Sequence, residues 1–410
     1  MSSALLDEAA RIARQFDFPA EGVQRGVKEY IREIDEGLSK EGTTLSQIPT
    51  FVTSVPNGTE KGLYLAVDLG GTNFRVGINK GTLIRWTKGF NIPDAVGHDV
   101  CALLQNALDA LELPVRVAAL VNDTVGTLMA RSYTSPGETG TFLGAIFGTG
   151  TNGAYVEKLD KITKMATIEH SDYDKTTGEM IINAEWGSFD NHLSVLPNTV
   201  YDQQLDEESN NPGIQMFEKR VSGMFLGEIL RRVLVDLHRN ESLGLFKPSA
   251  SSDVIVPENS TLFRQWGLDT SLLSLVEADN SESMEPTKTA LKDHLKIERA
   301  STTDCKVVKT IVHAIGKRAA RLSAVPIAAI LIATKKLETD DLVDVGVDGS
   351  LVEFYPNFEG YMRDALREVP EVGVAGDKKV RIGISKDGSG VGAALIALVA
   401  SKEEARMKAQ

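Results

Sequence analysis

A strand, a glycine turn and a returning strand occur twice in this chain, and any fold it adopts must accommodate both. The first unit runs from Leu63 to Val76. Leu63 to Val67 is an apolar run that reads as a buried strand. It ends in Asp68, Gly70 and Gly71 then permit a tight turn, and Phe74 to Val76 read as the return. The second unit runs from Phe142 to Leu159: an apolar strand to Phe147, the turn Gly148-Thr-Gly-Thr-Asn-Gly153, and a strand from Ala154. A glycine turn between strands lets backbone N–H groups approach an anion closely. Around the first turn Thr72 adds a hydroxyl, Arg75 a fixed positive charge, and Asp68 a carboxylate able to hold Mg²⁺ through water. Either turn alone could be an ordinary hairpin. Two such α/β units facing each other across a cleft would let both turns hold one polyphosphate.

The second turn also matches G-x-G-x-x-G, but a dinucleotide site needs a helix opening at the last glycine. Ala154-Tyr155-Val156-Glu157 alternates like a strand, so that reading is rejected. A third turn, Asp387-Gly-Ser-Gly-Val-Gly392, follows the strand Ile382–Ile384 and feeds a closing helix, Ala393 to Lys402, as at an anion or nucleotide site.

The 410 residues suit two domains or one large α/β unit, and 42% hydrophobic composition supports a sizeable core. A formal charge of -13 argues against a nucleic-acid or anionic-membrane binder, so an anionic substrate must meet a local positive cluster. Cys101 and Cys305 are too few for a disulfide framework, and a reducing, cytoplasmic setting is expected. Met1 to Phe16 lacks a secretory signal's apolar core. The longest apolar run, Leu322 to Ala333, contains Pro326 and is too short to span a membrane. The scattered histidines offer no zinc site.

Between the turns, helical spacing predicts two helices over residues 4–40, a helix from Val100 to Leu111, and one from Val125 to Ser132 capped by Thr124. Val115 to Val121 reads as a buried strand leading into Asn122-Asp123. Ile181 to Trp186 and Val343 to Gly346 read as strands, residues 214–239 as one long helix, and Thr310 to Ala324 as a helix followed by a strand, Ile327 to Ala333. Segments 249–261 and 278–289 read as loops.

Several pieces, in order along the chain, then carry a resemblance. They are Leu69-Gly-Gly-Thr-Asn-Phe-Arg75, Arg85-Trp-Thr-Lys-Gly-Phe90, Leu120-Val-Asn-Asp-Thr-Val-Gly126, Phe147-Gly-Thr-Gly-Thr-Asn152, Asn183-Ala-Glu-Trp-Gly187, Gly223-Met-Phe-Leu-Gly-Glu228, Asp348-Gly-Ser350 and Asp387-Gly-Ser-Gly390. In these the chain resembles the eukaryotic hexokinases, most nearly their fungal glucokinase branch. The resemblance implies an α/β, actin-like (ribonuclease-H-like) two-domain sugar kinase that uses Mg-ATP to phosphorylate the 6-hydroxyl of a hexose such as glucose. By position, Asp123 resembles the general base. Thr87, Lys88, Asn122, Asn152, Glu185 and Glu228 resemble the sugar ligands. Asp68, Gly70, Gly71, Thr72, Asn73 and Arg75 resemble the first phosphate hairpin, with Asp68 facing Mg²⁺, and Gly148, Thr149, Gly150 and Thr151 the second. Gly349 and Ser350, with Ser389 and Gly390, resemble the adenosine contacts. A large domain is expected from residues 1–61 and 124–390, and a small one from 62–123 and 391–410. The partners implied are a hexose and ATP, with no nucleic acid and no membrane span.

The chemistry agrees. A sugar offers only hydroxyls, so specific binding needs many donating and accepting side chains. Phosphoryl transfer needs positioning and positive charge, which Lys88 and Arg75 can supply. An aspartate, with its ordinary pKa of about 3.9, is ionised at neutral pH and able to take a proton. Asn122-Asp123-Thr124 read alone could equally be a helix cap.

The chain departs from the family in one place. Arg75 and Thr87 lie only 87−75 = 12 positions apart, whereas the family sets several dozen residues there, including a Ser-Phe-Pro loop that lines the sugar site. This reads as an internal deletion between Val76 and Gly77 that shortens the small domain, or as a compact variant with a new turn at Asn79-Lys80-Gly81. A non-catalytic nucleotide- or sugar-binding homologue is therefore the alternative function.

Overall fold

A computed structural model describes residues 2–56, 72–77, 80–86, 92–117, 120–135, 140–167, 173–248, 253–339, 341–385, 388 and 390–398. The strand expected at Leu63–Val67 lies outside them.

The strands are β1 (Ile48–Pro49), β2 (Thr72–Gly77), β3 (Lys80–Trp86), β4 (Thr141–Phe147), β5 (Thr151–Lys158), β6 (Glu179–Asn183), β7 (Val343–Asp348) and β8 (Val380–Ile384). Six of them form one sheet in the order β1-β6-β5-β4-β7-β8, while β2 and β3 make a separate two-stranded ribbon. β4, β5 and β6 run antiparallel, and β7 and β8 join parallel to β4. β4 is central and covered on both faces, so it reads as a continuous apolar run rather than an alternating one.

The helices in the first part are α1 (Ser2–Gln15), α2 (Ala20–Ser39), α3 (Val100–Ala110), α4 (Asp123–Thr134), α5 (Val200–Glu207), α6 (Glu218–Val221) and α7 (Gly223–Arg239). α8 (Ser271–Ala278), α9 (Glu285–Leu295), α10 (Thr302–Ala333), α11 (Ser350–Phe354), α12 (Phe358–Arg367) and α13 (Gly373–Lys379) follow. Val23, Val27 and Ile34 on α2 are buried in the same cluster as Val325 and Ala329 of α10. Among the described residues, no helix is long and apolar enough to cross a membrane.

Several expectations are corrected. The described residues between Val115 and Val121 form no strand, and Val115 is exposed. A strand needs a ladder partner, and among the described residues the Val115 carbonyl and the Val117 N–H bond instead to the Gln105 side chain at 3.1 and 2.8 Å. Ile327 to Ala333 is not a strand but the last turns of α10, which runs 32 residues through Pro326. An all-apolar run has no period to tell helix from strand, and packing on both sides decides it here. The single helix expected over 214–239 is broken at Ser222, which is extended at φ -87°, ψ 153°. The cause is the N–H of Gly223, which leaves the helix to donate to the Gly148 carbonyl at 2.7 Å. Residues 285–289 of the expected loop belong to α9, and β6 stops at Asn183 rather than Trp186. The cap of α4 is Asn122, whose Oδ1 accepts from the Thr124 N–H at 2.9 Å, and not Thr124.

Residues 390–398 are helical and pack on α4, where Ile396 joins Val125, Leu128 and Met129.

Candidate active site

The start of α4 is held against the middle of the main sheet by a close approach. A Cβ on Gly144 of β4 would lie 2.6 Å from the Leu128 nitrogen and 2.7 Å from the Thr124 carbonyl oxygen, so only glycine lets this helix sit so near. Asn122 and Asp123 therefore emerge beside the ends of β5 and β6. A carboxylate at the first turn also suits the positive end of the helix dipole.

Four polar side chains meet there. Asn152 on β5 donates through Nδ2 to Asn183 Oδ1 at 2.9 Å, and lies 3.3 Å from Glu185 Oε1 and 3.5 Å from Asn122 Oδ1. Asn183 at the end of β6 donates to Glu185 Oε1 at 2.9 Å. Asn152 Oδ1 accepts from the backbone N–H groups of Gly153 at 2.8 Å and Trp186 at 3.3 Å, which fixes the orientation of its amide. Glu185 sits just past β6 with φ +53°, a left-handed backbone uncommon for glutamate. Crowding by the protein raises its carboxyl above the usual range. The Asn183 amide opposes that rise, and the charges of Asp123 and Glu218 add to it. Asp123 stays exposed while Asn183 is buried, so the cluster has a dry floor and an open mouth. Such a set can hold several hydroxyls by donating and accepting at once, with a carboxylate alongside to take a proton.

Glu228 is not brought to this cluster. Its buried carboxylate accepts from Arg231 Nε and Nη2 at 2.7 and 2.6 Å and from the Trp266 N–H at 2.9 Å. Arg232 Nε lies 2.9 Å from it without hydrogen-bond alignment. Oε2 takes two of these donors and Oε1 one, and the bonds order α7. Glu228 is not the solvated helix position that its polar character alone would allow.

The second glycine turn is built as a cradle. Gly148 N–H donates to the Gly150 carbonyl at 3.0 Å, and Met224 N–H at the start of α7 donates to the Thr149 carbonyl at 3.1 Å. Thr151 begins β5 and is tied by its N–H to Glu218 at 3.0 Å and by its hydroxyl to the Trp186 indole at 2.9 Å. Gly349 leans directly on this turn. Its φ is +113°, and a Cβ there would meet the Phe147 carbonyl at 2.5 Å and Gly148 N at 2.6 Å. Asp348 joins the neighbouring turns, its Oδ1 accepting from Gly349 N at 2.7 Å and its Oδ2 from Gly388 N at 3.2 Å. The Gly148 turn, the Gly349-Ser350 start of α11 and Gly388 thus converge.

Sequence reasoning did not single out Asn183 or Asp348 as site residues. Each had a signal: a polar residue ending an apolar strand, as at Asp68. Asp68, Gly70, Gly71, Thr87, Lys88 and Ser389 lie outside the described residues. For Thr72, Asn73 and Arg75 the backbone alone is described, in β2, with Thr72 opposite Trp86 and Arg75 opposite Thr82.

Two hexokinase family models match the chain, one over residues 142–399 and the other in two pieces, 8–78 and 76–133. The chain is 70% identical to a glucokinase of Aspergillus niger over 495 aligned residues, covering 100% of both chains. That alignment is longer than the 410 residues present, so at least 495−410 = 85 of its positions have no counterpart here. Glucokinase-1 of Saccharomyces cerevisiae is 39% identical, over 97% of this chain and 98% of its own length. Among solved structures, a Schistosoma mansoni hexokinase complexed with glucose superposes with a TM-score of 0.83 at 30% identity, covering 97% of this chain and 100% of that one.

Proposed function

The chain belongs to the hexokinase family, and from that premise we propose how its own residues serve the family's reaction, the ATP-dependent phosphorylation of a hexose. The hexose proposed is glucose and the acceptor its 6-hydroxyl, the entry step of glycolysis. Asn122, Asn152 and Glu185 hold the sugar, with Thr87 and Lys88 closing over it, and Asp123 takes the proton of the attacking hydroxyl. What most supports this reading is the joined set Asn122, Asn152, Asn183 and Glu185 beside an exposed aspartate. The Gly148–Thr151 turn receives the phosphates from one side, and the Asp68–Arg75 hairpin receives them from the other. Gly349, Ser350, Ser389 and Gly390 receive the adenosine. Glu228, oriented on α7 by Arg231 and the Trp266 N–H, is kept as a further proposed sugar ligand.

Mg²⁺, when bound, would neutralise the charge on the transferring phosphates, with Asp68 holding it through water. Among the described residues no three His, Cys, Asp or Glu side chains gather as a metal site. A lone carboxylate such as Asp68 would suit an ion carried mostly by phosphate oxygens and water. Free thiols at Cys101 and Cys305 accord with a cytoplasmic setting.

The missing 85 or more positions are assigned to the junction Val76–Gly77, where the two pieces of the family match meet. There β2 runs almost directly into β3. Residues 1–61 with 124–390 are the large domain and 62–123 with 391–410 the shortened small one. One wall of the sugar site is reduced, so closure excludes water poorly.

A coupled assay with glucose and Mg-ATP tests the reading. Asp123→Ala should lower glucose-dependent ADP release by roughly 10²–10⁴, as for loss of a positioned proton acceptor. Equal release by both proteins would remove Asp123 from the mechanism.

A further inference from the structure

Along α10 the residues Lys306, Lys309, Thr310, His313 and Lys317 recur at helical spacing and share one face. From Lys306 to Lys317 this stripe spans about 16 Å at the α-helical rise. Together with α1 and the corner Phe16–Ala20 it walls a groove of about 950 Å³. Arg14, Arg318 and Arg321 add to the lining, against the carboxylates of Asp17 and Glu368.

Several of these charges are already matched. Arg321 is paired with Glu368, and Arg318 makes two bonds to Asp202 at 2.7 and 2.8 Å. The Lys309 ammonium donates to the Asp279 carbonyl, and His313 Nδ1 lies 2.9 Å from Glu277. Arg14, Lys306 and Lys317 are different: none forms an ion pair with a described residue. Arg318 is 1% exposed, its guanidinium lies 4.8 Å from the Phe16 ring, and its Nε–H is buried with no acceptor. With its side chain fully covered, Arg318 orders this wall against Phe16 and Asp202 rather than offering a donor to an occupant. The stacking on Phe16 sets the Arg14 end of α1 near the Lys317–Arg318 turn, so the free cations stand at both ends of the stripe. Ala13, Phe16 and Ala314 line it with carbon.

In a chain of net charge -13 an unmatched positive groove is a local reversal of the overall field. We propose that it binds an elongated phosphorylated small molecule, at a site sharing no residue with the candidate active site. Separated cations at its two ends call for anionic groups at two ends of one ligand. Phosphate oxygens suit both lysine ammonium groups and an arginine N–H. This inference does not depend on the assignment of the catalytic residues.

The test is calorimetric titration of the full chain with linear hexaphosphate, long enough to reach from Lys306 to Lys317, with Mg-ADP present throughout to fill the nucleotide cradle. The expected result is one binding event that tripolyphosphate, too short to bridge the stripe, reproduces at least threefold more weakly. Lys306→Glu with Lys317→Glu should weaken it at least tenfold with an unchanged thermal melt, and Arg14→Gln, on the opposite wall, should weaken it too. No binding, binding indifferent to these substitutions, or equal binding of citrate would overturn the proposal.

Discussion

At the scale of single residues, Asn183 sets the geometry of the sugar side although it is buried beneath it. Its carbonyl oxygen receives Asn152 and its amide holds Glu185, both at 2.9 Å, so it fixes two proposed ligands at once. Asn183→Ala should raise the KM for hexose tenfold or more, while the affinity for ATP stays within about twofold, because the Gly148 turn does not depend on it. A parallel loss of both affinities in steady-state kinetics would show that Asn183 serves the fold alone. The ligands themselves were legible in the sequence through the pieces that resemble the hexokinases: Asn122-Asp123 opens a helix, Asn152 follows a glycine turn, and Glu185 lies just past an apolar strand. The pairing of Glu228 was also written there, since Arg231 and Arg232 follow it by three and four residues on one helix. Asn183 was harder to read, because its role lies in touching two other ligands, and pairing across strands is not a local signal.

At the scale of elements, the large sheet and the ribbon differ in what protects them. β4 and β5 lie inside a six-stranded sheet and are largely buried. Among the described residues the β2–β3 ribbon gains no third strand, only the bridge of Thr82 to Asp99 and the bonds of Leu83 to Gly97 and His98, and a pair of strands with so little cover is marginally stable in water. Among α3 residues only Cys101 is buried, and Leu103 and Leu104 are exposed at 43% and 39%. Native-state hydrogen exchange should therefore find amides of residues 72–86 exchanging at least a hundredfold faster than those of 141–158. Equal protection would mean that the ribbon is covered by something not described here. The strands flanking the second glycine turn were readable because apolar runs and turn residues bound them on both sides. The strand expected at Val115–Val121 failed for the opposite reason: its sequence is suited to a sheet, but among the described residues no strand pairs with it. The break at Ser222 was also hidden, since the hydrogen bond that causes it comes from Gly148, far away in the sequence.

At the scale of the whole molecule, the two halves of the reaction stand unequally. The turns proposed for ATP converge through Gly148, Gly349 and Asp348. At least 85 positions of the alignment with the Aspergillus niger relative have no counterpart here, and they are the ones proposed above to belong to the hexose side. The exposed leucines of α3 are a face that further strands would cover. On the proposed assignment the nucleotide side of this hexokinase outlasts its sugar enclosure, and nucleotide binding should persist where hexose affinity is weak. The most direct measurement compares glucose phosphorylation by the chain as it stands with that of a chain carrying the relative's missing segment between Val76 and Gly77. The account predicts a gain of about 10² or more in kcat/KM for glucose, with ATP affinity nearly unchanged, as proper orientation and enclosure are restored. Equal efficiency in both chains would contradict it, and would mean that the short ribbon already completes a compact sugar site.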